Sequence, residues 1–390
     1  MKNKQLAIIS GIGLALYLIA TGLSFAAFTY IGKTSSPGKT GSVKNGNQQH
    51  FAVDPQAPKT ESCPINGKMY TKDEKGIWES RRPLAVMIEN HADSRPQSGL
   101  SKADVIYEAV AEGGITRFMG VFYCGIAEKV NLAPVRSARQ HFLGWVLEYD
   151  ALYNHVGGAG RCEDPTVDER AKALCSIQKY KIKDMDQFGI SFPTCYRNYD
   201  RLDHEVATEH TMVCVTDKLI ELAKKRGWTN VDASGVAWDK NFVPWKFKDD
   251  AKESERGSAA SISFSAWKGY DREYGVKWDY DKVANVYKRS NGGVPHTDLE
   301  TKEQLSAKAV AILFAKETGP VDQHAHLLYA NIGTGEALVF QDGNVTKAIW
   351  KKETKEARTK FYEQSTNKEI VFTRGQLWIE MLPTGTSVTY

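Results

Sequence analysis

The sequence predicts an α+β protein, a membrane-anchored head with a mixed α/β first domain and a mostly antiparallel β second domain. Three observations predict it. An uncharged apolar run opens the chain and a polar, structure-poor stretch follows it. The next part mixes continuous apolar runs of strand length with segments of helical periodicity. From about Ser234 the pattern changes to short strand-like runs separated by turn residues at intervals of roughly ten residues, as all-β folds require.

Residues Leu6 to Ile31 contain no Asp, Glu, Lys or Arg. That run is longer than the roughly 20 apolar residues that span a bilayer. Lys2 and Lys4 precede it, which places the N-terminus in the cytoplasm and the bulk of the chain outside. Segment 1–32 is therefore read as a transmembrane anchor and the protein as a single-pass cell-membrane protein. A cleaved signal peptide is the competing reading, with Ser24-Phe25-Ala26 as its small-x-small site. No cysteine lies at the end of the run, so a lipid-modified N-terminus is not indicated. Residues 33–60, rich in Gly, Ser, Pro, Lys, Asn and Gln, read as a disordered linker spanning about 30 Å.

The first domain is expected over 61–230. It opens with a small strand and turn at Asn66–Tyr70, and Leu84–Ile88 then has the uniform apolarity of a buried strand. Asp104–Ala111 and Ile115–Tyr123 flank Gly113-Gly114 and read as a β-hairpin. Phe142, Trp145 and Val146 are spaced as on a helix, predicted over Ser137–Glu148. Asp150–Val156 reads as a strand ending in Gly157-Gly158, and Thr216–Lys225 as an amphipathic helix stopped by Arg226-Gly227. The second domain, 231–390, is expected to contain strands at Ser261–Phe264, Val283–Tyr287, Ala309–Ala315, Leu327–Ile332, Ala337–Phe340 and Leu377–Met381. Asp342-Gly343 has the composition of a tight hairpin turn.

Several function classes are excluded. A net charge of +4 over 390 residues forms no concentrated basic stripe, so no nucleic-acid partner is expected. No glycine-rich phosphate loop opens a helix, so no cofactor is expected either. No G-x-S-x-G nucleophile motif is present. His324-Ala-His326 lacks the further ligands of a metal centre, and no metal is expected. The six cysteines show no C-x-x-C spacing, which points to disulfides outside the cytosol. Cys162 and Cys175, bracketing a short acidic segment, are the favoured pair, and the remaining pairings stay open.

Blocks along the chain also carry a resemblance. Arg82-Pro-Leu-Ala-Val-Met-Ile-Glu-Asn90, Arg95-Pro-Gln-Ser-Gly-Leu-Ser-Lys-Ala-Asp104, Glu112-Gly-Gly-Ile-Thr-Arg117 and Pro134-Val-Arg-Ser-Ala-Arg139 form the first group. Ala151–His155, Glu209-His210, Tyr287-Lys-Arg289, Pro295-His296-Thr-Asp298, Gly333–Ala337 and Arg374–Pro383 continue it. Together, over about residues 80 to 385, they resemble the YerB-type lipoprotein family, known as domain of unknown function 3048. The resemblance implies an extracytoplasmic, envelope-tethered protein with a two-part head, and no reaction.

Candidate chemistry gathers in the same blocks. Arg136 and Arg139, read as the first turn of the helix after Pro134, would share a face and aim at an anion. Arg95 and Arg117 would complete the cluster, with His210 and Asp298 as further ligand-binding candidates. The alternative is a structural network with Asp104, Glu108 and Glu112. Glu112 at a hairpin tip and His155 at a strand end are the candidate acid and base. Trp238, Trp245, Trp267 and Trp278 are candidates for sugar stacking, or for core packing. The leading reading is a protein that binds an anionic envelope component: glycan, wall polymer or peptide carboxylate. The alternatives are a hydrolase or lyase acting on such a polymer, and a scaffold for another envelope protein.

Overall fold

The computed structural model describes residues 54, 56–126, 128–259 and 261–390. The anchor expected over 1–32 and most of the linker lie outside the described residues. Among the described residues, no helix is long and apolar enough to cross a membrane.

The architecture is α+β, built on one ten-stranded mixed sheet. In chain order its strands are β1 (Leu84–Glu89), β2 (Val105–Glu112), β3 (Ile115–Phe122), β4 (Leu152–His155) and β5 (Lys183–Asp186). The second half adds β6 (Ala309–Ala315), β7 (Gly333–Gln341), β8 (Asn344–Lys352), β9 (Lys360–Glu363) and β10 (Leu377–Pro383). The spatial order is β9-β8-β7-β6-β10-β2-β3-β1-β4-β5. The sheet therefore draws on both sides of residue 230, and residues 53–390 pack as one unit. The seam is parallel, with β10 running beside β2 so that Glu380 lies opposite Glu108. A smaller antiparallel sheet, centred on Ser261–Phe264, Val276–Asp281 and Val286–Asn291, belongs to the second half.

Local sequence explains the principal elements. All six residues of β1 are buried, as an interior strand covered on both faces demands. β2 and β3 turn at Gly113 (φ +57°) and Gly114 (φ +79°), left-handed values that glycine adopts without the Cβ clash. Asp342 (φ +51°) and Gly343 (φ +69°) make the same kind of turn between β7 and β8. Four longer helices are α1 (Lys72–Glu79), α2 (Gln140–Glu148), α3 (Ala173–Lys179) and α4 (Thr216–Lys225). Thr71 and Glu74 close a capping box on α1. Trp145 of α2 stacks on Tyr107 of β2 with ring centroids 4.5 Å apart, which seats the helix on the sheet.

Some expectations shift. α2 begins at Gln140 rather than Ser137, because residues 135–138 give their backbone groups to neighbouring strands. The strand expected over Val283–Tyr287 lies at Val286–Asn291, with Val283 exposed in the preceding turn. The run Leu327–Ile332 contributes only Leu328–Tyr329. Trp238, Trp245 and Trp278 are buried, and Trp267 is half-buried against the core, so none of the first three forms a surface platform.

All six cysteines are paired: Cys162 with Cys175, as expected, and also Cys63 with Cys124 and Cys195 with Cys214. The last two pairs lie across folded elements, Cys195 facing Cys214 between the antiparallel strands Cys195–Arg197 and Met212–Val215.

Two charged clusters are sealed in the core. Glu148 of α2 accepts from Lys352 Nζ at 2.7 Å and Arg358 Nη1 at 3.1 Å, and all three side chains are essentially inaccessible. At the seam, Arg289 donates to Glu108 at 2.7 Å and lies over the rings of Trp378, Phe118 and Trp278. Burial, followed by the neighbouring Glu108 charge, pushes the Glu380 carboxyl well above its ordinary range, so the pair is held with a proton on Glu380.

Removing one member of a buried ion cluster strands the others in a low-dielectric interior. Glu148→Ala is expected to lower unfolding free energy by about 3–5 kcal/mol. Urea denaturation checks this, and a loss below about 1 kcal/mol would show that the cluster is solvated.

Candidate functional site

The arginine-rich blocks meet at one end of the sheet. β1 delivers Glu89 as its last residue, and register places Arg117 of β3 opposite it. Beside β1 runs the extended segment 134–139. The Glu89 amide donates to Pro134 O at 3.0 Å and the Arg136 amide to Met87 O at 2.9 Å. On its other side the Val156 amide donates to Arg136 O, and the Ala138 amide to Gly157 O. This ribbon fixes where Arg136 and Arg139 leave the backbone. They do not share a helical face: Arg139 caps α2 in an extended conformation (φ −131°, ψ +147°) and Arg136 precedes it.

Glu112 is the hub of one ion cluster. Arg139 grips its carboxylate with two hydrogen bonds, Nε to Oε2 at 2.6 Å and Nη2 to Oε1 at 2.7 Å. Arg117 adds Nη2 to Oε1 at 3.0 Å and ties down the ribbon through Nη1 to Ser137 O at 2.9 Å. Burial alone would push the Glu112 carboxyl up, but the two guanidinium groups outweigh it and hold it well below the ordinary range. Such a carboxylate is a fixed charge, not a proton carrier at neutral pH.

Glu89 is the hub of a second cluster. Its Oε1 faces Arg136 Nε at 3.1 Å and its Oε2 meets His210 Nδ1 at 2.8 Å. The hydrogen bond to Glu89 raises the His210 pKa above its ordinary value, burial opposing it. His91 stacks on His210 with ring centroids 4.9 Å apart and planes 19° apart. Arg136 is about a quarter exposed, and among the described residues its only ionic partner is Glu89. Its Nε makes no hydrogen bond of good geometry.

The other candidates are structural in their contacts. Arg95 donates to Asn90 Oδ1 and O, each at 3.0 Å, and to Glu273 O at 2.7 Å, with its guanidinium over the Tyr274 ring. Asp298 is fully buried and accepts from the amides of Ser101 and Glu300, each at 2.9 Å. His155 is fully buried, its nitrogens bonded to Gly157 O at 2.8 Å and Asp184 Oδ1 at 3.0 Å. It makes no hydrogen bond to Glu112, so the expected acid–base pair is not assembled. Sequence reasoning passed over Glu89 and His91, although Glu89 closes the apolar run Leu84–Ile88 and His91 follows two residues later, where side chains are commonly displayed.

Comparison with known proteins places these features in a family. The model described as Protein of unknown function (DUF3048) N-terminal domain matches residues 68–229, and its C-terminal counterpart matches 266–379. YerB of Bacillus subtilis (strain 168), a protein named as a lipoprotein, is 29% identical over 337 residues, 86% of this chain and 90% of the relative. The crystal structure of the YerB protein from Bacillus subtilis superposes with a TM-score of 0.67 at 25% identity, covering 85% of this chain and 100% of that one. With both of its domains present in order and the likeness running through sequence and fold, the chain belongs to the YerB-like DUF3048 family.

Proposed function

We propose that this protein is a membrane-tethered component of the cell envelope, with its head outside the cytoplasm, that binds an anionic envelope ligand through Arg136. Three features support the location: the uncharged run Leu6–Ile31, the disulfide-bonded cysteines, and a relative named as a lipoprotein. The run itself would act as a single-pass anchor.

The observation that carries the binding reading is the charge balance at the end of the sheet. Arg117 and Arg139 share Glu112, and Arg136 shares Glu89 with His210. Three guanidinium groups thus face two carboxylates, and Arg136, about a quarter exposed, is the most solvent-accessible of the three. A glycan carboxylate, a wall-polymer phosphate or a peptide carboxylate would satisfy its free N–H groups in the forked geometry that guanidinium favours. The enzymatic alternative loses its proton carriers, since Glu112 is locked by arginines and His155 by Gly157 and Asp184.

Arg136→Ala is expected to weaken binding of the purified protein to cell-wall fractions roughly ten- to a hundredfold, the worth of a charged hydrogen bond. Co-sedimentation measures it, and undiminished binding would sink the assignment. Glu112→Gln is expected to act on stability instead, costing about 1–3 kcal/mol by leaving Arg139 without its charged partner. The sign with pH follows from the depressed carboxyl. Its stabilisation is complete above the ordinary glutamate pKa of 4.5 and is lost as pH falls below that value. Thermal unfolding between pH 7 and pH 3 should show a steep acid limb in the wild type and a shallower one in Glu112→Gln; identical limbs would contradict the depressed carboxyl.

A further inference from the structure

The pair of stacked imidazoles has an acidic neighbour. His91, Asp93 and His210 each bring one metal-competent atom into a group whose members all lie within 4.8 Å of one another. His91 Nδ1 is 3.7 Å from Asp93 Oδ2. We propose that His91, Asp93 and His210 bind a divalent transition-metal ion of the zinc class, with Glu89 orienting His210 from behind.

The tautomer of His210 is the strongest argument. Its Nδ1 donates to Glu89 Oε2 at 2.8 Å, so Nε2 is the ring nitrogen left to meet a ligand. Among the described residues Nε2 has no hydrogen-bond partner. A carboxylate behind a histidine is the arrangement that fixes ring orientation and raises ligand basicity in zinc sites. Arg136 in turn holds the other oxygen of Glu89, so the orienting carboxylate is itself braced.

His91 is poised rather than locked. Its Nδ1 accepts only from the Asp93 amide, at a long 3.3 Å, and its ring, one-third exposed, must turn out of its near-parallel stack on His210 for both in-plane lone pairs to reach one ion. Asp93 is exposed at the start of a single 3₁₀ turn, Ala92–Ser94, where its carboxylate is free to swing by the small distance that coordination requires. Zinc bonds of about 2.0–2.2 Å bring ligand atoms closer together than they stand here, and rotation of the partly exposed His91 ring together with a swing of Asp93 supplies the adjustment.

Two imidazoles and one carboxylate suit zinc, and disfavour magnesium and calcium, which prefer all-oxygen shells. Three protein ligands leave a tetrahedral ion one position for water or for an external anion. The other group of comparable spacing among the described residues, Cys63, Asp104 and Cys124, is closed by its disulfide and offers no thiolate. The sequence expectation of no metal rested on His324 and His326, which spend their contacts otherwise: His326 on Asp322 at 2.9 Å, His324 on Thr166 at 3.2 Å. The proposal does not depend on the wall-ligand reading, because the test contains no envelope component.

The experiment is equilibrium dialysis of the full-length, untagged chain in detergent against Zn²⁺ in a non-chelating buffer. One equivalent bound at micromolar free zinc is the expected result, undisturbed by excess Mg²⁺. His91→Ala/His210→Ala should abolish it, and Glu89→Gln should weaken it about 10- to 100-fold. Because Glu89 and His210 are buried, Asp93→Asn serves as the variant that leaves the fold untouched, with at least a tenfold loss expected. His324→Ala should bind like wild type. No stoichiometric zinc in the wild type, or equal binding by the wild type and Asp93→Asn, would overturn the site.

Discussion

The parallel contact between β2 and β10 is the constraint on which the rest of the structure depends. It joins a strand from near residue 105 to one from near residue 380, and the long chain between must be closed on itself for the two to meet. The seam carries charge at its centre: Glu108 and Glu380 stand side by side, with Arg289 bridging in from the smaller sheet. Two carboxylates at such a site cannot both ionise, so one keeps a proton and Arg289 neutralises the other. Glu108 is further occupied by Thr116 at 2.7 Å and by the Trp378 indole at 3.2 Å. A network this connected specifies one register, because a slip by one residue would turn each of these groups to the opposite face.

The same rule of satisfied charge explains where the candidate binding groups concentrate. Arg81, Arg82, Arg117, Arg139, Arg201, Arg289 and Arg358 all find carboxylate or carbonyl partners inside the protein. Arginine content alone is therefore a poor guide to an anion site, and the informative quantity is what remains after pairing. At the end of β1 the most exposed of these cations is Arg136, whose carboxylate partner also holds His210, with the partly exposed ring of His91 stacked on His210. Arg136 and His210 share one carboxylate, Glu89, so whatever binds to one of them changes the electrostatics of the other.

Much of the fold was legible in the sequence because local signals agreed with the final structure. The uniform apolarity of Leu84–Ile88, the Gly113-Gly114 and Asp342-Gly343 turns and the amphipathic helix Thr216–Lys225 each reflect one local requirement. Cys162 and Cys175 were legible for the same reason, being close in sequence. The other two disulfides were not, since Cys63 and Cys124 meet only after the first strands have paired. Helices α1 and α3 are short, with Trp78 the one buried residue of α1, so they carry little periodicity to read. The site was legible in composition but not in geometry. Arg136 and Arg139 stood out as cations, yet Pro134–Arg139 is drawn out as a ribbon by strands distant in sequence. His91, the residue that turns His210 into half of a pair, had no flanking motif to mark it.

Hydrogen–deuterium exchange of the intact protein, followed by fragment mass, tests the seam most directly. If β2 and β10 depend on each other, amides of 105–112 and 377–383 should fall in the same, slowest-exchanging class and be released together as denaturant is raised. Early release of 377–383 while 105–112 stays protected would contradict the account, and would mean that the first half holds its sheet without the second.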